Sequence, residues 1–276
     1  MKKVPCTLVS GLVVLLPLAV TAQEKYPELS VPPRKVPVPT TVSPELQQAI
    51  AQPIPPITPM PTTADGWRKL QQKSDAAAAK LARGAAESLG VKVEPVKVAG
   101  VSCFRLTPKQ VAPENEDRLI VHVHGGSFVF YAGVAGTGEG VLLADACKAP
   151  VLSIDYRMPP DHPFPAAADD VLAVWRAVTG RRDSSKLALG GTSAGGGLIM
   201  TTLLRLKRHD LPKPAAVFLG SPACDLSKTG DSMFLNAEVD NLLGRYRGKL
   251  EDCIKLYANG RPLKAPLLSP VYGDLS

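Results

Sequence analysis

Apolar and polar positions divide the chain into three regimes. Residues 8–20, "LVSGLVVLLPLAV", are predominantly apolar, follow two lysines and end at small residues around Ala22. Residues 24–63 break any period, with prolines at 27, 32, 33, 37, 39, 44, 53, 55, 56, 59 and 61. Each proline fixes φ and removes a donor, so extended chain is expected, with one short helix at "SPELQQAIAQ". From residue 65 onward regular periods return. Residues 65–89 are alanine-rich with helical spacing, and Gly90 is a stop signal. Two short β-prone pieces follow, "VKVEPVKVAG" and "VSCFRLTP". Continuous apolar, β-branched runs then alternate with helical ones. "RLIVHVHGG", "APVLSIDYR", "KLALGG" and "PAAVFLGSP" read as strands; "GVLLADACK", "AAADDVLAVWRAVT" and "AGGGLIMTTLLRLKRHD" read as helices. Strands apolar enough for burial on both faces, alternating with helices, predict an α/β fold with a mostly parallel sheet and right-handed crossovers.

The first regime fits a secretory signal peptide over residues 1–22, cut after Ala22. The run is short for a membrane span and is interrupted by Pro17. The expected organisation is therefore 1–22 signal peptide, 23–63 proline-rich linker and 64–276 α/β domain, in an exported protein without stable membrane insertion. The 276 residues carry a net charge of +7, but the basic residues are scattered and aromatics make up only 5%. No basic stripe is interleaved with aromatics, which argues against a nucleic-acid partner. Four cysteines lie beyond the leader: Cys103, Cys147, Cys224 and Cys253. Their even number permits disulfides, and isolated buried thiols are the simpler expectation. No C-x-x-C pair or flanking histidine suggests a metal.

Chemistry concentrates in "LALGGTSAGGGL", where Gly191, Ser193 and Gly195 have the spacing G-x-S-x-G between a predicted strand and a predicted helix. In a turn of this kind the glycines remove side chains that would collide, and the serine oxygen is lifted off the sheet. The N–H groups of the following helix point to the same place, so Ala194 could serve a developing oxyanion. A structural glycine turn with an incidental serine is the alternative. "VHVHGGSF" places His124, Gly125 and Gly126 at another strand end, where free backbone N–H groups would complete an oxyanion hole. His124 is expected to hold that loop by a side-chain hydrogen bond rather than to act as a base.

"HGGSF", "DYRMPPDHPFPAAADD", "GGTSAGG" and "SPACDLSKTGDS" occur in that order, and together they resemble the hormone-sensitive-lipase-like α/β hydrolases, the bacterial family IV esterases. Thr192 is similar to the GTSAG subgroup. The resemblance runs from about Trp67 to the end. It implies an α/β-hydrolase fold, with residues 64–90 as part of an N-terminal helical cap. It also implies hydrolysis of short-chain acyl esters or lactones without cofactor or metal. Ser193 would be the nucleophile, and the N–H groups of Gly125, Gly126 and Ala194 the oxyanion hole. Ser127 departs from the family's third glycine.

A serine nucleophile needs a base, and in this fold the order is Ser, then Asp or Glu, then His. The histidines are His122, His124, His162 and His209, and only His209 follows Ser193. About fifteen residues of helix put it on the order of 22 Å away. "APLLSPVYGDLS" resembles the segment preceding the family's last strands, so the sequence reads as lacking those strands and the triad's acid and base. A ligand-binding homologue without turnover is the rival reading, and a serine peptidase on a related fold a third. Oligomeric state is not legible.

Overall fold

The computed structural model describes residues 35–54, 56–237, 239–241, 243 and 246–276. The expected signal peptide lies outside these residues. Thr40–Ser276 form one compact unit, so residues 40–63, expected as linker, belong to it. The short helix expected there is α1, Pro44–Ile50, capped by the Ser43 side chain.

Helix α2, Ala64–Leu89, starts where the Thr63 side chain accepts from Gly66 N and stops at Gly90, which adopts the left-handed conformation. It buries Trp67, Ala82 and Ala86. Strands β1, Lys92–Val98, and β2, Val101–Thr107, form an antiparallel hairpin. Its two turn residues, Ala99 and Gly100, both have positive φ, which suits the right-handed twist of the strands.

The remaining elements alternate: β3 Leu119–Val123, α3 Gly138–Cys147, β4 Val151–Ile154, α4 Ala166–Thr179, β5 Leu187–Thr192, α5 Ala194–Arg208 and β6 Ala216–Gly220. The sheet order is β1-β2-β4-β3-β5-β6. β3 pairs in parallel with β4 and β5, and β5 with β6, while β2 meets β4 antiparallel. This is the mostly parallel α/β sheet that the alternation predicts.

The core lies between the sheet and helices α4 and α5, with Val121, Ile154, Trp175, Leu189, Leu198 and Ile199 fully enclosed. Each such aliphatic side chain contributes roughly 1.5–3 kcal/mol on burial. β4 is buried along its whole length, as expected. β6 is not. Ala216, Val217 and Phe218 are exposed, because this edge strand has one neighbour and little covers its faces among the described residues.

Beyond β6 come α6, Ser232–Leu235, and α7, Glu251–Ala258. α7 buries Cys253, Ile254, Tyr257 and Ala258. Cys103, Cys147, Cys224 and Cys253 are free thiols; Cys103 and Cys253 are buried as expected, whereas Cys147 is exposed. No helix among the described residues is long and apolar enough to cross a membrane.

Candidate active site

Ser193 occupies the junction of β5 and α5, at the carboxyl end of the parallel strands where this class of sheet binds ligands. Its φ of 56° and ψ of −121° lie outside the regions a serine ordinarily takes. Neighbouring backbone fixes the turn. Ser193 N donates to Gly220 O at 2.8 Å, and Ser193 O accepts from Gly197 N and Ala223 N at 3.0 and 2.9 Å. Gly195 lets α5 press against the end of β3: a Cβ there would stand 2.6 Å from His124 O and closer still to Val123 O.

The loop after β3 runs beside the serine. A Cβ on Gly125 would lie 3.4 Å from Ser193 Cβ, so the two predicted strand ends do meet. Gly126 takes φ of 106°, and a side chain there would strike Tyr131 and the Phe130 backbone. Its carbonyl accepts from Val129 N and Phe130 N. Ser127 and Phe128 follow with φ of 55° and 64°, so the position where the family has a third glycine is one that favours it.

Polar side chains from two directions clasp this loop. Asp75 on α2 accepts from Tyr131 N at 2.6 Å, and Gln71 donates to Val129 O at 2.7 Å. Asp155, just past β4, accepts from Gly133 N at 2.8 Å. Burial pushes both carboxyls above the usual aspartate range, while these backbone hydrogen bonds pull the other way.

His124 holds its own loop, as the sequence suggests. Its Nδ1 is 2.7 Å from Gly125 O, and its ring stacks on Tyr156 at a centroid distance of 4.2 Å. The Tyr156 hydroxyl in turn donates to His124 O at 2.9 Å. Burial pushes the imidazole pKa down from 6.5 to about 4, and Nε2 has no hydrogen-bond partner.

The other histidines are placed elsewhere. His122 is enclosed between Ser153 and Glu139, and His209 forms the C-cap of α5. His162 sits in the 158–165 loop, with its backbone N donating to Met158 O. None of the four is hydrogen-bonded to Ser193.

Two cavities flank the serine. One, about 380 Å³, is lined by Phe128, Ala194, Leu226, Tyr246 and Ile254 together with Ser193. The other, about 360 Å³, is lined by Ser193, Gly125, Gly126, His124, Tyr131 and Glu139. A further cavity of about 500 Å³ lies at the amino ends of β3 and β4, far from this chemistry. No group of three or more His, Cys, Asp or Glu among the described residues is arranged to hold a metal ion. Sequence reasoning missed Glu139. It lies 53 positions from Thr192, to whose hydroxyl it is bonded, and no linear motif joins them.

A half-buried serine that lines two cavities at a strand–helix elbow, above a parallel sheet, is the arrangement of an α/β hydrolase. Comparison with known proteins agrees. The model of a family described as α/β hydrolase fold matches residues 120–276. An acetyl-hydrolase of Streptomyces hygroscopicus is 33% identical over 68% of this chain and 62% of its own length. The hormone-sensitive lipase of Bos taurus is 32% identical over 56% of this chain and 21% of its own. The crystal structure of esterase E25 superposes with a TM-score of 0.85 at 43% identity, covering 90% of this chain and 77% of that one. The chain belongs to the α/β-hydrolase fold family, among its hormone-sensitive-lipase-like members. It spans a little over three fifths of the acetyl-hydrolase's length.

Proposed function

We propose that this protein hydrolyses carboxylic esters with short acyl chains, or lactones, and that Ser193 is its nucleophile. Ser193 Oγ attacks the ester carbonyl carbon. The oxygen takes up the charge facing the N–H groups of Gly125, Gly126 and Ala194. The alcohol leaves, and water then releases the acid from the acyl-enzyme. The observation that carries this reading is the strained turn that lifts Ser193 between two cavities. Gly125 N and Gly126 N make no backbone hydrogen bond among the described residues, which leaves them free to serve an oxyanion. The acetyl-hydrolase and esterase among its relatives support the substrate class.

The proton on Ser193 has no acceptor among the four histidines, so the base must come from residues other than these. Export as a mature protein cut after Ala22 is part of the same proposal.

The test is covalent labelling. Phenylmethanesulfonyl fluoride should add one sulfonyl group at Ser193, read by intact mass and peptide mapping, and Ser193→Ala should take none. Label distributed over other serines, equally in the variant, would overturn the assignment. Turnover of p-nitrophenyl butyrate should fall in Ser193→Ala to the residual of roughly 10³–10⁴ over water that binding and an oxyanion hole supply.

A further inference from the structure

The buried polar groups beneath the elbow form one connected chain. Ser153 on β4 and His122 on β3 are both fully enclosed, and Ser153 Oγ lies 2.9 Å from His122 Nδ1. His122 Nε2 lies 3.1 Å from Glu139 Oε2. With its proton on Nε2, His122 donates to Glu139 and accepts from Ser153. The second oxygen of Glu139 accepts from the Thr192 hydroxyl.

Space is kept for both contacts. A Cβ on Gly140 would stand 3.1 Å from His122 Nδ1, and one on Gly220 would run into Thr192 Oγ1. Burial pushes the Glu139 carboxyl up, but hydrogen bonds from His122 and Thr192 outweigh it and hold the group below the usual glutamate range.

Thr192 immediately precedes Ser193, whose backbone is held in an unfavourable conformation. Such a conformation persists only where the surroundings over-determine it. On one side β6 does this, through Gly220 O and Ser193 N. On the other side stands Glu139, at the start of α3. We propose that Glu139 is the positioning residue of the elbow, holding Thr192 and through it the turn that aims Ser193 at the ester carbonyl. The pairing also accounts for threonine at 192, since a hydroxyl donates to Glu139 where an aspartate would set a second carboxylate against it.

This inference rests on Ser193 as nucleophile, and the experiment separates the two. Acylation of Ser193 by p-nitrophenyl acetate is followed by intact mass below the melting transition, with imidazole added as external base. Glu139→Ala and Thr192→Val should each acylate about 10-fold more slowly or worse, because displacement of ~1 Å can cost 10²-fold. Thr192→Ser keeps the donor and Glu139→Gln keeps the acceptor, with His122 changing tautomer, so both should stay near the parent rate. The double variant Glu139→Ala/Thr192→Val should be no slower than Glu139→Ala alone.

A brace that only stabilised the fold would lower the melting temperature and leave these rates unchanged, and that result would overturn the proposal. So would multiplying effects in the double variant, or Glu139→Gln as slow as Glu139→Ala. If the parent takes no acetyl group at Ser193, the nucleophile reading fails. The hold on the turn is then decided by hydrogen exchange at Ser193 N, which faster local exchange in both Glu139→Ala and Thr192→Val would uphold and unchanged exchange would overturn.

Discussion

Gly195→Ala separates two forces that act on the elbow in opposite directions. In an isolated helix the change stabilises by about 1 kcal/mol, since alanine loses less backbone entropy than glycine. In this fold the new Cβ would stand 2.6 Å from His124 O and nearer to Val123 O, whereas ordinary contact begins near 3.4 Å. Both obstacles are backbone and cannot swing aside, so α5 and the end of β3 must separate by about 1 Å. Overpacking costs about 1–3 kcal/mol where neighbours can adjust. With rigid neighbours, a net loss of about 3 kcal/mol is expected after the helix gain is set against it. For a domain of this size each kcal/mol moves the melting temperature by about 2–4 °C, so the variant should melt about 6–12 °C lower. Gly84→Ala is the internal control. It lies inside α2, and its Cβ would meet nothing within 4 Å. It should melt about 2–4 °C higher. Circular dichroism melts at one pH decide both. If Gly195→Ala melts within ~2 °C of the parent, the close approach of α5 to β3 is not what the elbow depends on.

Other expectations concern charge and protons. His124 is held neutral, its pKa pushed by burial from 6.5 to about 4. The unfolded chain takes up a proton in that window and the folded chain does not. Stability therefore falls as pH drops from about 6.5 and levels off below about 4, a loss on the order of 3 kcal/mol. His124→Gln should flatten that part of the melting-temperature curve, and an unchanged slope would refute the assignment. Arg157 meets the buried Asp170 carboxylate through Nε at 3.0 Å and Nη2 at 2.7 Å. Arg157→Ala strands that carboxylate. Water reaches the half-exposed guanidinium, so the cost should be about 2 kcal/mol rather than the 3–5 of a fully buried pair. A urea midpoint that does not move would count against it.

What was legible in the sequence was what is contiguous in it. The order of strands and helices from β3 to α5 follows from runs whose period changes from one element to the next, and Ser193 and Gly125 sit inside short motifs. β6 misled, because "AAVFLG" has the composition of a buried strand but forms the sheet's edge. Composition records a strand's preference and not its neighbours. α7 was legible in principle: acids in its first turn, apolar residues at helical spacing, and Asn259 in the left-handed conformation at its end. At eight residues it gives too short a window for the period to stand out. The link from Glu139 to Thr192 could not be read at all. It exists because the crossover between β3 and β4 brings the start of α3 beside β5, and that follows from strand order rather than from any local pattern.

The clasp on the loop after β3 has a consequence for how the molecule opens. The amides of Tyr131 and Gly133 end on carboxylates from two different elements, α2 and the segment after β4. Tyr131 N cannot exchange its hydrogen with solvent until Asp75 withdraws, and Asp75 is anchored to a helix whose Trp67 lies in one cluster with Val129 and Phe130 of the same loop. Helix and loop therefore loosen as one cooperative unit, or not at all. A fluctuation that lifts α2 also frees the loop that carries Gly125 and Gly126, so the order of the backbone beside the serine is tied to the seating of that helix.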